Sequence, residues 1–144
     1  MLTEKPMKLI ASTLRRLGLA ALTMLLVVSS FVAFAPSAAA ETHTIKLGSD
    51  KGMLAFEPSK ISVKPGDTIQ WLNNKVPPHN VVFDAVQNPA KSADLAKGLS
   101  HKQLVMSPGQ EFTSTIPADA PAGEYTFYCE PHRGAGMVGK VIVE

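Results

Sequence analysis

From residue 41 onward the chain consists of short apolar or alternating runs, each closed within a few positions by Gly, Pro, Asn or Asp. Thr42 to Leu47 reads as a first strand, with a turn from Ser49 to Gly52 behind it. Met53 to Phe56 is a brief apolar run cut by Pro58, and Ile61 to Val63 leads into Lys64-Pro-Gly-Asp67, a tight-turn sequence. Thr68 to Asn73 alternates, so Ile69 and Trp71 share one face, as the period of two in a strand requires. After the break at Asn74 to Asn80, extended structure resumes with Val81 to Phe83. Ser92 to Lys97 has helix formers behind a Ser92 cap and ends at Gly98, which predicts one short helix. Gln103 to Val105, Glu111 to Ile116, Glu124 to Cys129 and Val138 to Val143 complete the set, separated by Pro108-Gly109 and Pro121-Ala-Gly123. Short strands at close spacing over about a hundred residues predict an all-β, antiparallel Greek-key β-sandwich of about eight strands with one short helix.

The first forty residues have a different character. A basic start ending at Arg15-Arg16 precedes an apolar run from Leu17 to Phe34 and the small residues Ser37-Ala-Ala-Ala40. This matches a cleavable export signal, residues 1–40, cut between Ala40 and Glu41, and leaves 41–144 as one domain. The rival reading, a retained membrane anchor, is disfavoured by Gly18, Thr23, Ser29 and Ser30 inside the run. Leu17-Gly18 after the arginine pair favours general export over the twin-arginine route.

Removing that stretch changes the charge balance. The whole chain of 144 residues carries a formal +2. Lys5, Lys8, Arg15 and Arg16 against Glu4 account for +3 of it, which leaves −1 for residues 41–144. No basic stripe of the kind that nucleic acid needs is present.

The chemistry concentrates in Tyr128 to Lys140, reading YCEPHRGAGMVGK. It holds the chain's one cysteine, Cys129, with His132 three residues later and Met137 eight residues later. A lone thiol in an exported protein must be protected or used. Alternation along the strand puts Tyr125, Phe127 and Cys129 on an inward face and Tyr128 toward solvent. His79 follows Pro77-Pro78, which rigidifies the corner where it sits; taken alone, a histidine there reads as a surface residue, and the loop needs a second histidine from elsewhere to complete a donor set. Thiolate, two imidazoles and a weak thioether are the donor set of a blue-copper electron-transfer centre, whereas structural zinc takes four strong ligands. A cysteine hydrolase built on Cys129, His132 and Asn80 would have no use for Met137. His43 and His101 read as ordinary surface histidines.

Tyr128 to Lys140 resembles the copper loop of the plastocyanins, within the cupredoxin family. Pro78 to Asp84 is similar to the segment that carries that family's first histidine, and Gly52 to Pro58 to a segment of its apolar surface. The resemblance spans residues 41–144 and implies a soluble, monomeric, non-enzymatic carrier with one type 1 copper, cycling between Cu(I) and Cu(II), held by His79, Cys129, His132 and Met137. It further implies transient docking to cytochrome f and photosystem I in the thylakoid lumen. The alternative is a pseudoazurin-like periplasmic electron donor or a copper-handling protein. Asn80 is expected to tie the two ligand loops together, and His132, beside Gly134, Ala135 and Gly136, to be the exposed port for electrons. Gly52, Leu54 and Pro78 would form an apolar docking patch, with Arg133 as the nearest charge; Asp84 to Asn88 lacks the acidic run of plant-type docking.

Overall fold

The computed structural model describes residues 39–144, so all but the last two residues of the expected export signal lie outside it. Nine strands and one α-helix are present among the described residues. One sheet has the order β2-β1-β4-β7, made of β1 (Thr42–Leu47), β2 (Phe56–Glu57), β4 (Thr68–Asn73) and β7 (Glu111–Thr115). The other has the order β3-β9-β8-β5-β6, made of β3 (Lys60–Val63), β5 (His79–Phe83), β6 (His101–Val105), β8 (Gly123–Tyr128) and β9 (Val138–Val143). The expected sandwich is present, with two parallel pairings among antiparallel ones: β1 runs parallel to β4, and β3 parallel to β9.

The sheets close on one aromatic core. Trp71 is fully buried and meets Phe127 edge-on at 5.0 Å between centroids, Phe56 at 6.3 Å and Phe83 at 6.2 Å. These offset geometries suit the ring quadrupole. Its indole N–H would be costly to bury alone. It donates to Ser114 Oγ at 3.0 Å, and that hydroxyl donates to the Leu99 carbonyl at 2.6 Å. The alternation anticipated for β4 holds, with Ile69, Trp71 and Asn73 buried. In β8, Tyr125 and Phe127 point inward as the period of two requires.

Four boundaries differ from the sequence reading by two residues or more, one of them the start of β6 at His101 rather than Gln103. The helix, α1 (Ala93–Leu99), has Ser92 as N-cap, its hydroxyl accepting from Leu95 N at 3.2 Å, but it runs through Gly98. Ser100 ends it by donating from its hydroxyl to the Ala96 carbonyl at 2.6 Å, and so supplies the stop that glycine was expected to supply. The 53–55 run is a turn, because Met53 N and Met53 O both bond to Ser49; only Phe56 enters a strand. Strand β5 begins at His79 and is buried at all five positions. Its second flank is closed by α1, whose Ser100 hydroxyl accepts from Phe83 N at 2.9 Å. Among the described residues no helix is long and apolar enough to cross a membrane.

Candidate metal centre

His79 opens β5, and Cys129 follows β8, its neighbour in the sheet, so two strands bring residues fifty positions apart together. The chain then turns through His132 and a 3-10 turn, Arg133–Ala135, before β9. The turn is sewn up by backbone bonds: His132 N donates to the Cys129 carbonyl at 3.2 Å, Met137 N to the His132 carbonyl at 3.2 Å, and Cys129 N to the Met137 carbonyl at 3.1 Å. All three loop residues are therefore fixed to one another before their side chains are considered.

The side chains converge. His79 Nδ1 and His132 Nδ1 lie 3.2 Å apart, and Cys129 Sγ lies 3.7 Å from the first and 3.6 Å from the second. Metal–nitrogen bonds of about 2.0 Å and metal–sulfur bonds of about 2.3 Å, held near tetrahedral angles, produce such separations. The three atoms thus fit one soft divalent or monovalent ion. Cys129, His79 and Met137 are fully buried, whereas His132 is partly exposed. Burial pushes the Cys129 thiol up and the His79 imidazole down, since each charged form loses water. A pocket that disfavours both thiolate and imidazolium on their own favours a neutral imidazole together with a thiolate neutralised by a cation.

Two polar contacts orient the imidazole and the loops. His79 Nε2 lies 2.7 Å from the Lys75 carbonyl, which can only accept, so Nε2 carries the proton and the Nδ1 lone pair faces the cluster. Asn80, as expected, joins the two loops: its Oδ1 accepts from Glu130 N at 2.9 Å, and its Nδ2 donates to Glu130 Oε2 at 2.7 Å and to the Lys102 carbonyl at 3.0 Å. Lys75 and Glu130 were not foreseen. Lys75 acts through its backbone, which side-chain chemistry cannot flag, and Glu130 reads as a surface acid in a turn.

Tyr128 is half-exposed, and the Arg133 guanidinium lies 3.9 Å above its ring. Arg133 also reaches Asp84 Oδ2 at 3.6 Å, so its charge is partly offset. His43 is no ordinary surface histidine, because its Nε2 lies 3.0 Å from the buried Asp67 Oδ2. The His101 ring stacks on Phe112 at 4.1 Å and stands apart from the cluster.

Comparison with known proteins points to copper as the metal. Residues 43–144 match the family described as copper binding proteins, plastocyanin/azurin family. The chain belongs to the plastocyanin/azurin family. A plastocyanin of Nostoc punctiforme is 70% identical over 138 residues, covering 96% of this chain and 99% of the relative. A Synechococcus plastocyanin is 49% identical, covering 95% and 98%. Among solved structures, a fern plastocyanin mutant superposes with a TM-score of 0.60 at 30% identity, covering 70% of this chain and 99% of its own. A Sinorhizobium pseudoazurin aligns with a TM-score of 0.53 at 26% identity, covering 72% of this chain and 74% of its own. Copper is this family's metal, and electron transport on it is the family's work.

Proposed function

We propose that the mature protein, residues 41–144, is a soluble monomeric electron carrier whose single type 1 copper is held by His79, Cys129, His132 and Met137, and that it is not an enzyme. The observation that carries this reading is the convergence of two imidazole nitrogens and one thiol sulfur, each 3.2–3.7 Å from the others, in a pocket that hides all but His132. Copper supplies a one-electron couple between Cu(I) and Cu(II). The protein supplies the rest. Cys129 and the two histidines are locked by backbone bonds and by the Lys75 carbonyl, so their positions change little with the charge they surround. Met137, buried and bonded through its backbone to both loop ligands, adds a weak thioether and excludes water. His132, partly exposed among Gly134, Ala135 and Gly136, offers the shortest covalent route to a partner.

The partners proposed are cytochrome f as donor and photosystem I as acceptor, met transiently on the lumenal side of the thylakoid membrane after export and cleavage at Ala40. Support comes from plastocyanin relatives, one of them, from Tetradesmus obliquus, named chloroplastic. Exposed Met53, half-buried Leu54 and Pro78 and the small residues around His132 make a face suited to brief contacts. The pseudoazurin-like alternative rests on the shared fold and predicts a different electron donor.

The decisive experiment is optical. Mature protein with one equivalent of copper turns intensely blue on mild oxidation and bleaches on reduction, and Cys129→Ser never becomes blue. A colourless oxidised wild type overturns the copper–thiolate assignment. Reduction by purified cytochrome f, compared with other donors, separates the two carrier readings, and the mass of the native protein tests the cleavage site.

A further inference from the structure

We propose that Gly48, with Asn74, is a positioning residue for the metal centre: together they seat the Lys75 carbonyl that holds the His79 ring. Strand β1 ends at Leu47, and Gly48 follows it, buried, with φ +83°. A Cβ placed there would stand 2.0 Å from the Lys75 carbonyl oxygen, 2.8 Å from its carbon and 3.0 Å from its nitrogen. The Lys75 peptide therefore lies directly against the bare Cα of Gly48. Asn74 keeps it there. Its Nδ2 donates to the Gly48 carbonyl at 2.9 Å and to Asp50 Oδ1 at 3.0 Å, while Asn74 N and Lys75 N both reach the Leu47 carbonyl, at 2.9 and 3.3 Å.

The same Lys75 carbonyl accepts the His79 Nε2 proton at 2.7 Å. This one contact decides both which nitrogen faces the cluster and the angle of the ring. Val76, immediately after it, has φ +57°, a conformation that β-branched residues rarely adopt. Such a backbone persists only where its surroundings over-determine it. The loop is held down on one side by the β1 end and on the other by His79, and a methyl at position 48 collides with the Lys75 peptide itself, so accommodating it displaces the Lys75 carbonyl relative to the His79 ring. The effect passes from a residue that touches no ligand to the orientation of one that the preceding section assigns to copper, and in that respect it rests on that reading.

The test uses two variants and a control. Gly48→Ala adds the methyl; Asn74→Ala removes the clamp without adding bulk. Gly66→Ala is the control, since Gly66 has φ +94° and nothing within 4 Å of its virtual Cβ, so it suffers the same backbone strain without the collision. In metal-free protein, nitrogen NMR of the His79 ring gives a single Nε2–H tautomer in the wild type and in Gly66→Ala. Gly48→Ala gives a mixture of tautomers, and Asn74→Ala a smaller admixture. With copper, the first two variants lose about ten- to a hundredfold in affinity, as removal of a ligand-orienting contact does, and their visible and EPR spectra shift. Wild-type tautomers and spectra in both Gly48→Ala and Asn74→Ala overturn the proposal, as does an equal change in Gly66→Ala. If Gly48→Ala does not fold, Asn74→Ala alone decides the outcome. Because the tautomer is read without metal, failure here is distinguishable from failure of the ligand assignment, which would show as wild-type protein that never turns blue.

Discussion

Asp67 is 4% exposed, yet its carboxylate has three partners: it accepts from Glu41 N at 2.9 Å and Lys64 N at 2.8 Å, and the His43 ring lies 3.0 Å away. The backbone donors come first among the causes that lower its pKa to about 2 from an ordinary 3.8. A carboxylate held lower in the folded than in the unfolded state stabilises the fold fully above the unfolded value and stops doing so as the pH falls through the folded one. Asp67→Asn is therefore expected to cost ~1–2 kcal/mol at pH 7. That cost should shrink toward zero near pH 2, which urea titrations at pH 7, 4 and 2.5 would check. The sequence shows Asp67 as a turn residue and His43 as a lone surface histidine. Their meeting depends on the parallel pairing of β1 with β4, which sets His43 opposite Ile69, and nothing local in either segment encodes it. Cys129, His132 and Met137 stand out as candidates because one loop holds them, whereas His79 alone reads as a surface residue and becomes a candidate through the resemblance of Pro78 to Asp84 to a known segment.

At the scale of elements, the strands whose alternation is strict, β4, β8 and β9, lie where the sequence puts them to within a residue. The misread ones are those whose limits depend on partners. β5 is buried on both faces, so its start at His79 leaves no alternation to read. The end of α1 is decided by the Ser100 hydroxyl rather than by Gly98. Two variants test these elements. Ser92→Ala removes the acceptor for Leu95 N and is expected to cost about 1 kcal/mol in thermal or urea unfolding. Gly139, in β9, admits the Phe127 ring: a Cβ there would stand 2.4 Å from Phe127 Cζ and 2.9 Å from the Ser59 carbonyl. Gly139→Ala is expected to cost about 1–3 kcal/mol through overpacking against the core. Since β9 carries the far side of the ligand loop, it should also broaden the copper EPR signal.

Across the whole molecule, residues 41–144 carry a net −1, with no acidic run from Asp84 to Asn88, so long-range attraction has little to work with. Arg133 is the charge nearest the port, exposed but shared with Asp84 and the Tyr128 ring. Arg133→Gln is expected to slow association with an acidic redox partner several-fold at low salt and to change it little at high salt, as stopped-flow rates across ionic strength would show. Burial is graded across the three converging side chains and Met137, whose backbone bonds to their loop, with His79, Cys129 and Met137 at 0% and only His132 reaching water. The folded, metal-free thiol should accordingly resist iodoacetamide under conditions that label the unfolded chain completely, a difference read by mass. Under the proposed assignment the same grading makes the centre a room with one door: an ion delivered to the folded protein would pass His132 on its way in, by the threshold that each electron would cross, so a partner seated over that residue would hold metal exchange shut for as long as it stayed.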